Sequence, residues 1–243
     1  MQKTLIIIPS RLAATRLPGK PLLKINGISI IAHVYKKALE CNLGEVFVAT
    51  EDQEILDDIK SNGGEALLTK KAKTGTDRVL EAFKKLNRSD VDYILNIQGD
   101  EPMISTNDII NLNINTLKNN SEMGSLGCEL KSKDQLNDQS VVKVKTFNKI
   151  NFDNMSKAEN FFRATIDPNY NNVYHHIGVY QYRIETLKKF VSLNQTENEK
   201  KYKLEQLRAL ENNIQIDIAL AKNSPIGVDT KEDFEKVRNL LEI

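Results

Sequence analysis

Residues 4–21, TLIIIPSRLAATRLPGKP, decide the fold class. Thr4–Ile8 is a short, apolar, largely β-branched run, which is typical of a buried strand. The loop that follows it directly carries three cations, Arg11, Arg16 and Lys20, and no acidic residue. In an open parallel sheet, ligands bind beyond the carboxyl ends of the strands. The segment therefore predicts an α/β fold whose first loop binds an anion.

The residue types of this loop suit phosphate. Guanidinium groups bind phosphate oxygens in a forked geometry, whereas Lys20 offers a point charge. The loop is not a Walker A motif, because Gly19-Lys20 is followed by Pro21. The alternative is an ordinary charged loop on the surface.

Apolar runs alternate with amphipathic stretches along the rest of the chain, which predicts repeated βαβ units. The predicted strands are Thr4–Ile8, Glu45–Ala49, Glu65–Leu68, Tyr93–Gln98, Met123–Leu130, Val141–Phe147, Val173–Arg183 and Ile214–Ala219. The predicted helices are Ile30–Cys41, Asp52–Asn62, Asp77–Leu86, Thr106–Lys118, Lys200–Glu211 and Asp229–Ile243. Residues 148–172 are rich in Asn and Asp and weakly periodic. We expect one Rossmann-like domain over 1–243, with a mostly parallel sheet and a small β-rich insertion over roughly 123–183 that forms a flap or an oligomer contact.

Composition excludes several classes of protein. The 243 residues are 40% hydrophobic with a net charge of +1, so no general basic field attracts nucleic acid. No apolar run approaches the roughly 20 residues that span a bilayer, and the N-terminal run is too short for a signal peptide. Cys41 and Cys128 lack metal-ligand spacing. We expect a cytoplasmic protein with reduced thiols and no membrane or nucleic-acid partner.

Two acidic residues are candidates for a metal site. Asp100 follows the strand that ends at Gln98, and Asp229 follows the last strand. Mg²⁺ prefers one or two protein carboxylates together with substrate phosphates, so two aspartates at strand ends could share an ion. The alternative for Asp229 is a plain helix N-cap.

A further turn leads into a helix at Thr74-Gly75-Thr76-Asp77-Arg78. Its backbone N–H groups could bind an anion or the edge of a base. The alternative is a helix cap in which Asp77 pairs with Arg78 or with solvent.

Nine motifs in order give the chain a close resemblance to a known family. They are IIIPSRLAATRLPGKPL (6–22), VATEDQEI (48–55), TGTDRV (74–79), NIQGDEP (96–102), VVKV (141–144), FFRATI (161–166), HIGVYQYR (176–183), LEQLRALEN (204–212) and GVDTKEDF (227–234). The chain resembles the CMP-Kdo synthetases, or 3-deoxy-manno-octulosonate cytidylyltransferases, over nearly its whole length. This resemblance implies a nucleotide-diphospho-sugar transferase fold, a homodimer, and the Mg²⁺-dependent reaction of CTP with Kdo that supplies lipopolysaccharide synthesis.

The resemblance also implies a role for each matched residue. The CTP phosphates would be held by Arg11, Arg16 and Lys20. The nucleotide would lie along Arg78 and Gln98, with Gln98 reading cytosine. Mg²⁺ would be ligated by Asp100 and Asp229, which with Lys20 form the catalytic set. The sugar acid would be surrounded by Arg163, His176, Tyr180, Glu205 and Gln206. From the residues alone, His176 is read as a buried histidine satisfied by backbone groups, and the alternative for Glu205 and Gln206 is helix surface.

Four departures from the family pattern fall among the sugar-side motifs, at Phe162, Asp167, Gln181 and Tyr202. Kdo analogues such as the 8-amino form therefore stay open, as do cytidylyltransferases for sialic acid or a methylerythritol phosphate. A non-catalytic nucleotide-binding module is the alternative from another class. Retained Lys20, Asp100 and Asp229 argue against it, because binding alone does not need paired metal carboxylates.

Overall fold

The computed structural model describes residues 2–13, 16–163 and 171–242. The chain divides into two compact units, Met1–Thr106 with Pro225–Ile243 and Asn107–Ser224. The C-terminal segment thus belongs with the N-terminal part of the chain. The expectation of one domain stays a prediction.

A parallel sheet forms the centre of the first unit. Its strands and those of a small hairpin are β1 (Thr4–Ser10), β2 (Lys24–Ile25), β3 (Ile28–Ser29), β4 (Val46–Thr50), β5 (Ala66–Leu68) and β6 (Tyr93–Asn96). The sheet has the order β5-β4-β1-β6 with parallel pairing throughout, while β2 and β3 pair with each other. All seven residues of β1 are buried, which explains why an unbroken apolar run forms a strand that is covered on both faces.

Helices follow the strands of this sheet. They are α1 (Ile30–Glu40), α2 (Gln53–Ser61) and α3 (Gly75–Leu86). In α1 the apolar residues at helical spacing are the buried ones, including Ile30, Ile31, Val34 and Ala38. The predicted alternation of strands and helices is therefore confirmed in this unit. This alternation places the carboxyl ends of β1 and β6 and the start of α3 around one pocket, which is described below.

The second unit contains a mixed sheet. Its strands are β7 (Met123–Glu129), β8 (Lys143–Thr146), β9 (Ser156–Phe162), β10 (Val173–Arg183) and β11 (Ile216–Ala221). Their order is β10-β7-β11-β9-β8, and β8 also pairs with β10. Only β7 and β11 pair in parallel among these described strands. The mostly parallel sheet expected from the sequence therefore describes the first unit and does not extend to the second.

The helices of the second unit differ in part from the predicted ones. They are α4 (Thr106–Lys118), α5 (Lys133–Asn137), α6 (Ile184–Ser192), α7 (Glu197–Tyr202) and α8 (Gln206–Glu211). The single helix predicted over Lys200–Glu211 is wrong. Lys203 has a φ of 54°, a left-handed conformation that ends α7 before α8 begins. Strand β9 also lies within the stretch that appeared weakly periodic in sequence.

The last helix, α9 (Lys231–Leu241), belongs to the first unit. Its buried Val237 joins a small apolar cluster with Ile25, Ile30 and Val228. The hydroxyl of Thr230 accepts a hydrogen bond from Asp233 N, and Asp233 completes the capping box. Within the described part of the chain, no helix is long and apolar enough to span a membrane.

Candidate nucleotide and sugar sites

A pocket of about 390 Å³ opens beyond the carboxyl ends of β1 and β6 in the first unit. This volume lies in the range of small-molecule sites. The predicted nucleotide residues all line it, namely Arg11, Arg16, Lys20, Arg78, Gln98, Asp100 and Asp229. The structure thus brings together side chains that are more than two hundred residues apart in the sequence, and it supplies four cations to one cleft.

The first loop forms one wall of this pocket. Leu12 O accepts a hydrogen bond from Gly19 N at 3.4 Å, so the loop folds back on itself. Gly19 has a φ of 67°, a conformation that favours glycine, and a short 3-10 turn beginning at Lys20 follows it. Ala14 and Thr15 lie outside the described residues. The fold of the loop leaves Arg11 and Arg16 exposed to the pocket and Lys20 partly buried at its base.

Lys20 lies between the two predicted metal ligands. Its Nζ is 2.7 Å from Asp100 Oδ2 and 3.0 Å from Asp229 Oδ1. Burial lowers the pKa of Lys20, but attraction to Asp100 and hydrogen bonds to both carboxylates more than offset this, and the pKa lies above its ordinary value. Arg16 Nη2 also pairs with Asp229 Oδ2 at 2.9 Å. The two carboxylates therefore converge on a position that a positive charge occupies.

The backbone explains how the two aspartates meet. Val228 N donates to Asp100 O at 2.8 Å, which joins the segment after β6 to the segment before α9. Thr230, rather than Asp229, is the N-cap of α9. The carboxylate of Asp229 is thus available to Lys20 and Arg16, and the alternative that it serves only as a helix cap is excluded.

Glu101 is a third acid beside Asp100 and Asp229, and it was not among the residues predicted from the sequence. Its Oε2 is buried and has no hydrogen-bond partner among the described residues. Burial raises the pKa of Glu101 to about 8, and the carboxylates of Asp100 and Asp229 contribute to the shift. A local excess of carboxylate oxygens is the donor chemistry that suits a hard divalent cation.

Protein ligands alone do not complete a metal site. Within the described ranges, no group of three or more His, Cys, Asp or Glu side chains is arranged to hold an ion. Asp100 and Asp229 fit Mg²⁺ only in the manner typical of that ion, in which substrate phosphates and water supply the remaining ligands.

Arg78 approaches the pocket from α3 and is held rigidly. Its side chain is 3% exposed. Nη2 lies 3.1 Å from Glu51 Oε2, and Nη1 donates to Thr69 Oγ1 at 2.9 Å. The start of α3 has a capping box between Thr74 and Asp77. The predicted alternative of a helix cap is therefore correct, but Asp77 pairs with Thr74 rather than with Arg78 or with solvent. Sequence reasoning missed Glu51, although it stands in the VATED motif at the end of β4.

Gly99 lets two strand ends approach closely. A Cβ atom at this position would lie 2.9 Å from Pro9 O and 2.9 Å from Ile31 Cδ1. The segment that carries Gln98 and Asp100 can therefore pack against the end of β1 only if residue 99 has no side chain.

The predicted sugar-side residues all lie in the second unit, where Arg163 is fixed by backbone carbonyls. Arg163 Nε donates to Tyr202 O at 3.1 Å, and Nη1 donates to Gln139 O at 3.2 Å. The fully buried ammonium of Lys143 binds Arg163 O and also Asp138 O at 2.6 Å. Lys143 thus joins the end of β9 to the loop before β8.

His176 and Tyr180 lie on β10 on either side of a break in its pairing with β7. His176 is buried, and its Nε2 lies 2.9 Å from Ser125 Oγ, which donates to Val179 O. Burial lowers the pKa of His176 to about 3. The rings of His176 and Tyr180 are 5.5 Å apart between centroids. His176 is therefore a neutral, internally bonded histidine, as the alternative predicted, and its partner is a hydroxyl rather than the backbone.

Glu205 and Gln206 lie at the start of α8 next to a buried ion pair. Arg208 binds Glu199 through Nε–Oε2 at 2.8 Å and Nη2–Oε1 at 2.5 Å. Arg208 Nη2 also reaches Glu205 Oε1 at 3.4 Å. Gln206 is only 5% exposed, so the alternative that it is helix surface is wrong. The ion pair of Arg208 and Glu199 therefore joins α7 to α8.

The residues that depart from the family pattern differ in how deeply they are buried. Gln181 is fully buried and donates to Asn113 Oδ1 at 3.0 Å, so this substitution belongs to the core. Tyr202 is 43% exposed, and its carbonyl oxygen holds Arg163. Phe162 is half-buried, and Asp167 lies outside the described residues.

Comparison with known proteins supports one family. The model of the cytidylyltransferase family matches residues 5–218. The chain is 40% identical over 239 residues to a 3-deoxy-manno-octulosonate cytidylyltransferase of Paramagnetospirillum magneticum, covering 98% of this chain and 97% of the relative. It is 39% identical over 242 residues to the protein of that name from Bartonella bacilliformis, covering 98% of each.

A solved structure gives the same result. A CMP:2-keto-3-deoxy-manno-octonic acid synthetase complexed with CTP superposes with a TM-score of 0.89 and is 33% identical, covering 99% of each chain. The similarity of fold and of sequence extends over both units. The chain therefore belongs to the 3-deoxy-manno-octulosonate cytidylyltransferase family, as its ordered motifs predicted.

Proposed function

We propose that this protein transfers CMP from CTP to 3-deoxy-D-manno-octulosonate (Kdo), releasing pyrophosphate. The observation that carries the proposal is the pocket in which Lys20 lies within 3.0 Å of both Asp100 and Asp229, with three arginines around it. A triphosphate needs this density of positive charge, and nucleotidyl transfer needs carboxylates placed for a cation. The relatives at about 40% identity bear the name of this reaction.

The nucleotide occupies the pocket of the first unit in this proposal. Arg11, Arg16 and Lys20 bind the phosphates, and Arg78 lies along the nucleotide from a fixed position on α3. Gln98 and nearby backbone groups read the cytosine edge. The N-terminal turn of α3 adds N–H groups that favour negative charge.

Mg²⁺ would be held by Asp100 and Asp229 together with oxygens of the triphosphate. When bound, it supplies charge neutralisation at the phosphates and lowers the pKa of a coordinated hydroxyl. With its pKa raised to about 8, the buried Glu101 stays largely protonated at neutral pH and leaves the negative charge to the two ligands. Lys20 then turns from the carboxylates toward the phosphate oxygens.

The sugar acid is bound by residues of the second unit. Arg163 suits the sugar carboxylate, because a guanidinium offsets its repulsion from the triphosphate. Tyr180, Glu205 and Gln206 offer hydrogen bonds to sugar hydroxyl groups. His176 supports Tyr180 through the packing of their rings.

The reaction is a direct displacement in this proposal. The C2 hydroxyl oxygen of the sugar forms a bond to the α-phosphorus. At the same time the bond breaks between that phosphorus and the oxygen that bridges the α- and β-phosphates. The hydroxyl proton leaves to solvent, and pyrophosphate departs with its charge balanced by Lys20 and the arginines. Such a transfer relies on positioning and charge stabilisation rather than on a covalent enzyme intermediate.

Three further expectations accompany the activity. A homodimer, a cytoplasmic location and a role in supplying lipopolysaccharide synthesis follow from the family resemblance, and they stay predictions. Sedimentation of the purified protein tests the first of them, since a monomer at micromolar concentration would contradict it.

The activity is tested by pyrophosphate release with CTP and Mg²⁺, with Kdo, its 8-amino analogue and N-acetylneuraminate supplied in parallel. Release with Kdo supports the proposal. Release with one of the other sugars alone would retain the mechanism and reassign the sugar. Binding of CTP without release in any mixture would favour the non-catalytic module.

A matched pair of variants tests the role of the carboxylates. Asp100→Asn should lower turnover by about a hundredfold or more, because removal of a charge-stabilising group typically costs that much. Asp57→Asn removes a carboxylate from the exposed face of α2 and serves as the control. Equal turnover in the two variants would contradict the assignment of Asp100.

A further inference from the structure

Asp52 stands at the N-cap position of α2 but does not cap it. Its backbone has the extended conformation of an N-cap, with φ −102° and ψ 123°, yet its side chain makes no cap hydrogen bond. The Ser or Thr residues before α1, α3, α5, α7 and α9 all accept a backbone N–H at this position. An N-cap bond stabilises a helix by satisfying a backbone N–H of its first turn, so α2 lacks a common stabilising contact.

The carboxylate of Asp52 is used elsewhere. Asp52 Oδ2 accepts a hydrogen bond from Leu12 N at 2.7 Å, in a partly buried position. Leu12 lies directly after Arg11 in the first loop, and its carbonyl oxygen accepts the hydrogen bond from Gly19 N. Asp52 therefore fixes the base of the loop that carries Arg11, Arg16 and Lys20.

Charge alone does not explain this contact. A carboxylate beside a loop of cations lowers the positive potential that attracts a triphosphate. Asp52 is thus unfavourable for CTP through its charge and favourable through its hydrogen bond. The geometry favours the second effect, because a charge-assisted hydrogen bond of 2.7 Å to a backbone N–H is of the strong kind.

The neighbouring residue, Glu51, contacts another cation that lines the pocket. Glu51 Oε2 lies 3.1 Å from Nη2 of the buried Arg78. Asp52 N donates to Thr50 Oγ1 at 3.1 Å, which fixes the turn after β4 from which both acids project. One turn therefore holds the first loop and Arg78.

We propose that Asp52 is a positioning residue for the nucleotide, which sets the first loop in the conformation that binds the triphosphate. The inference rests on the proposed function for its ligand, and on the contact with Leu12 for its mechanism. Asp52 does not touch the reacting atoms and acts through the backbone at Leu12.

Three variants of the full chain separate the contributions of Asp52. Asp52→Ser retains a good N-cap residue but is too short to reach Leu12. Asp52→Asn removes the charge and retains an oxygen that accepts the N–H. Asp57→Ala removes a carboxylate from the exposed face of the same helix and leaves the loop contact in place.

Titration of each variant with CTP in the presence of Mg²⁺ gives the affinities. Asp52→Ser should weaken CTP binding by about tenfold or more, as expected for the loss of a charge-assisted hydrogen bond. Asp57→Ala should stay within about threefold of the wild type, since an exposed charge is screened. Asp52→Asn should also stay within about threefold, because the weaker neutral hydrogen bond to Leu12 N is offset by removal of a negative charge beside the cationic loop. In activity assays, Asp52→Ser should raise KM for CTP and leave KM for the sugar unchanged.

A second measurement does not depend on the ligand. Hydrogen exchange of the peptide that contains Leu12 should be faster in Asp52→Ser than in Asp52→Asn, without any nucleotide present. Wild-type affinity for CTP in Asp52→Ser, or an equal loss in Asp52→Asn, would overturn the proposal. If the wild type itself fails to bind CTP, the proposed function fails, and unchanged exchange at Leu12 would then contradict the loop contact separately.

Discussion

The ammonium group of Lys20 lies 2.7 Å from the carboxylate of Asp100, at the position to which Asp229 also points. A side-chain cation thus stands where two acidic residues would hold a metal ion. The arrangement keeps two neighbouring carboxylates from repelling each other in the absence of substrate. In the proposed reaction, binding of Mg²⁺ and CTP requires Lys20 to exchange the carboxylate oxygens of Asp100 and Asp229 for phosphate oxygens of the nucleotide.

Replacement of Lys20 should separate metal affinity from turnover. In Lys20→Met, Mn²⁺ should bind about tenfold more tightly in the absence of CTP, because the competing ammonium charge is gone. Pyrophosphate release should fall by about a hundredfold or more, since Lys20 also stabilises the departing charge. Electron paramagnetic resonance of free Mn²⁺ measures the affinity, and Lys24→Met is the control on an exposed lysine of the same segment. Weaker Mn²⁺ binding in Lys20→Met would contradict the competition.

Gly99→Ala should destabilise the first unit. The new methyl group would meet Pro9 O, a backbone atom that has no freedom to move aside, at 2.9 Å. Overpacking of this kind costs about 1–3 kcal/mol. Urea denaturation measures the loss, with Gly227→Ala as the control, because a Cβ there would meet its nearest neighbours at 3.8 Å. Equal stability of the two variants would show that the strand ends can separate without cost.

Glu199→Gln should destabilise the second unit by about 3 kcal/mol, since it leaves the buried guanidinium of Arg208 without its counter-charge. Burial raises the pKa of Glu199, but hydrogen bonds from Arg208 and Gln195 outweigh this, and the pKa lies below its ordinary value. The stabilisation is therefore complete above about pH 4.3, the unfolded pKa, and is lost as the pH falls through the lower folded pKa.

Denaturation of wild type and variant between pH 7 and pH 3 tests this sign. The difference in stability should stay constant down to about pH 5 and narrow below about pH 4. The control is Glu197→Gln, on the same helix but 94% exposed in its side chain. A difference that widens on acidification would be inconsistent with the pairing.

His176→Gln should alter the pH dependence of stability at a higher pH than Glu199→Gln does. The folded pKa of about 3 lies below the unfolded value of about 6.5. The neutral histidine therefore stabilises the fold above the unfolded pKa, and this contribution is lost as the pH falls from there toward the folded pKa. Between pH 7 and pH 5 the wild type should lose about 2 kcal/mol from this group. The variant should lack that loss, and parallel curves for the two proteins would contradict it.

The residues that line the nucleotide pocket were easier to predict from the sequence than the residues that hold them in place. Arg11 follows the end of β1 directly, Lys20 lies later in the same loop, and Asp100 lies in the segment after β6. A parallel sheet brings such segments together by a general rule. Glu51 and Asp52 follow a strand end as well. Their role was hidden because an acidic pair before a helix also matches an ordinary helix start. Nothing in their spacing indicates that their partners are Arg78 and the backbone of Leu12.

The second unit was harder to predict for a different reason. β9 has an irregular burial pattern, in which two successive exposed residues interrupt the alternation after Ala158, so a period of two was not visible in the sequence. The break at Lys203 depends on a left-handed backbone that lysine seldom adopts, and helical periodicity continued across it. Tertiary contacts, such as the Arg208 pair, determine these features more than local propensity does.

The hydrogen bond from Val228 to Asp100 has a consequence for the order in which the protein matures on the ribosome. Synthesis proceeds from the N-terminus, and domains begin to fold as they emerge. The strands β1, β4, β5 and β6 can pair early, yet Asp229 emerges only after the whole second unit has been made. The first unit of a nascent chain therefore cannot complete its pocket, or the apolar cluster that joins Ile25 and Ile30 to Val228 and Val237, until its C-terminal segment has been made.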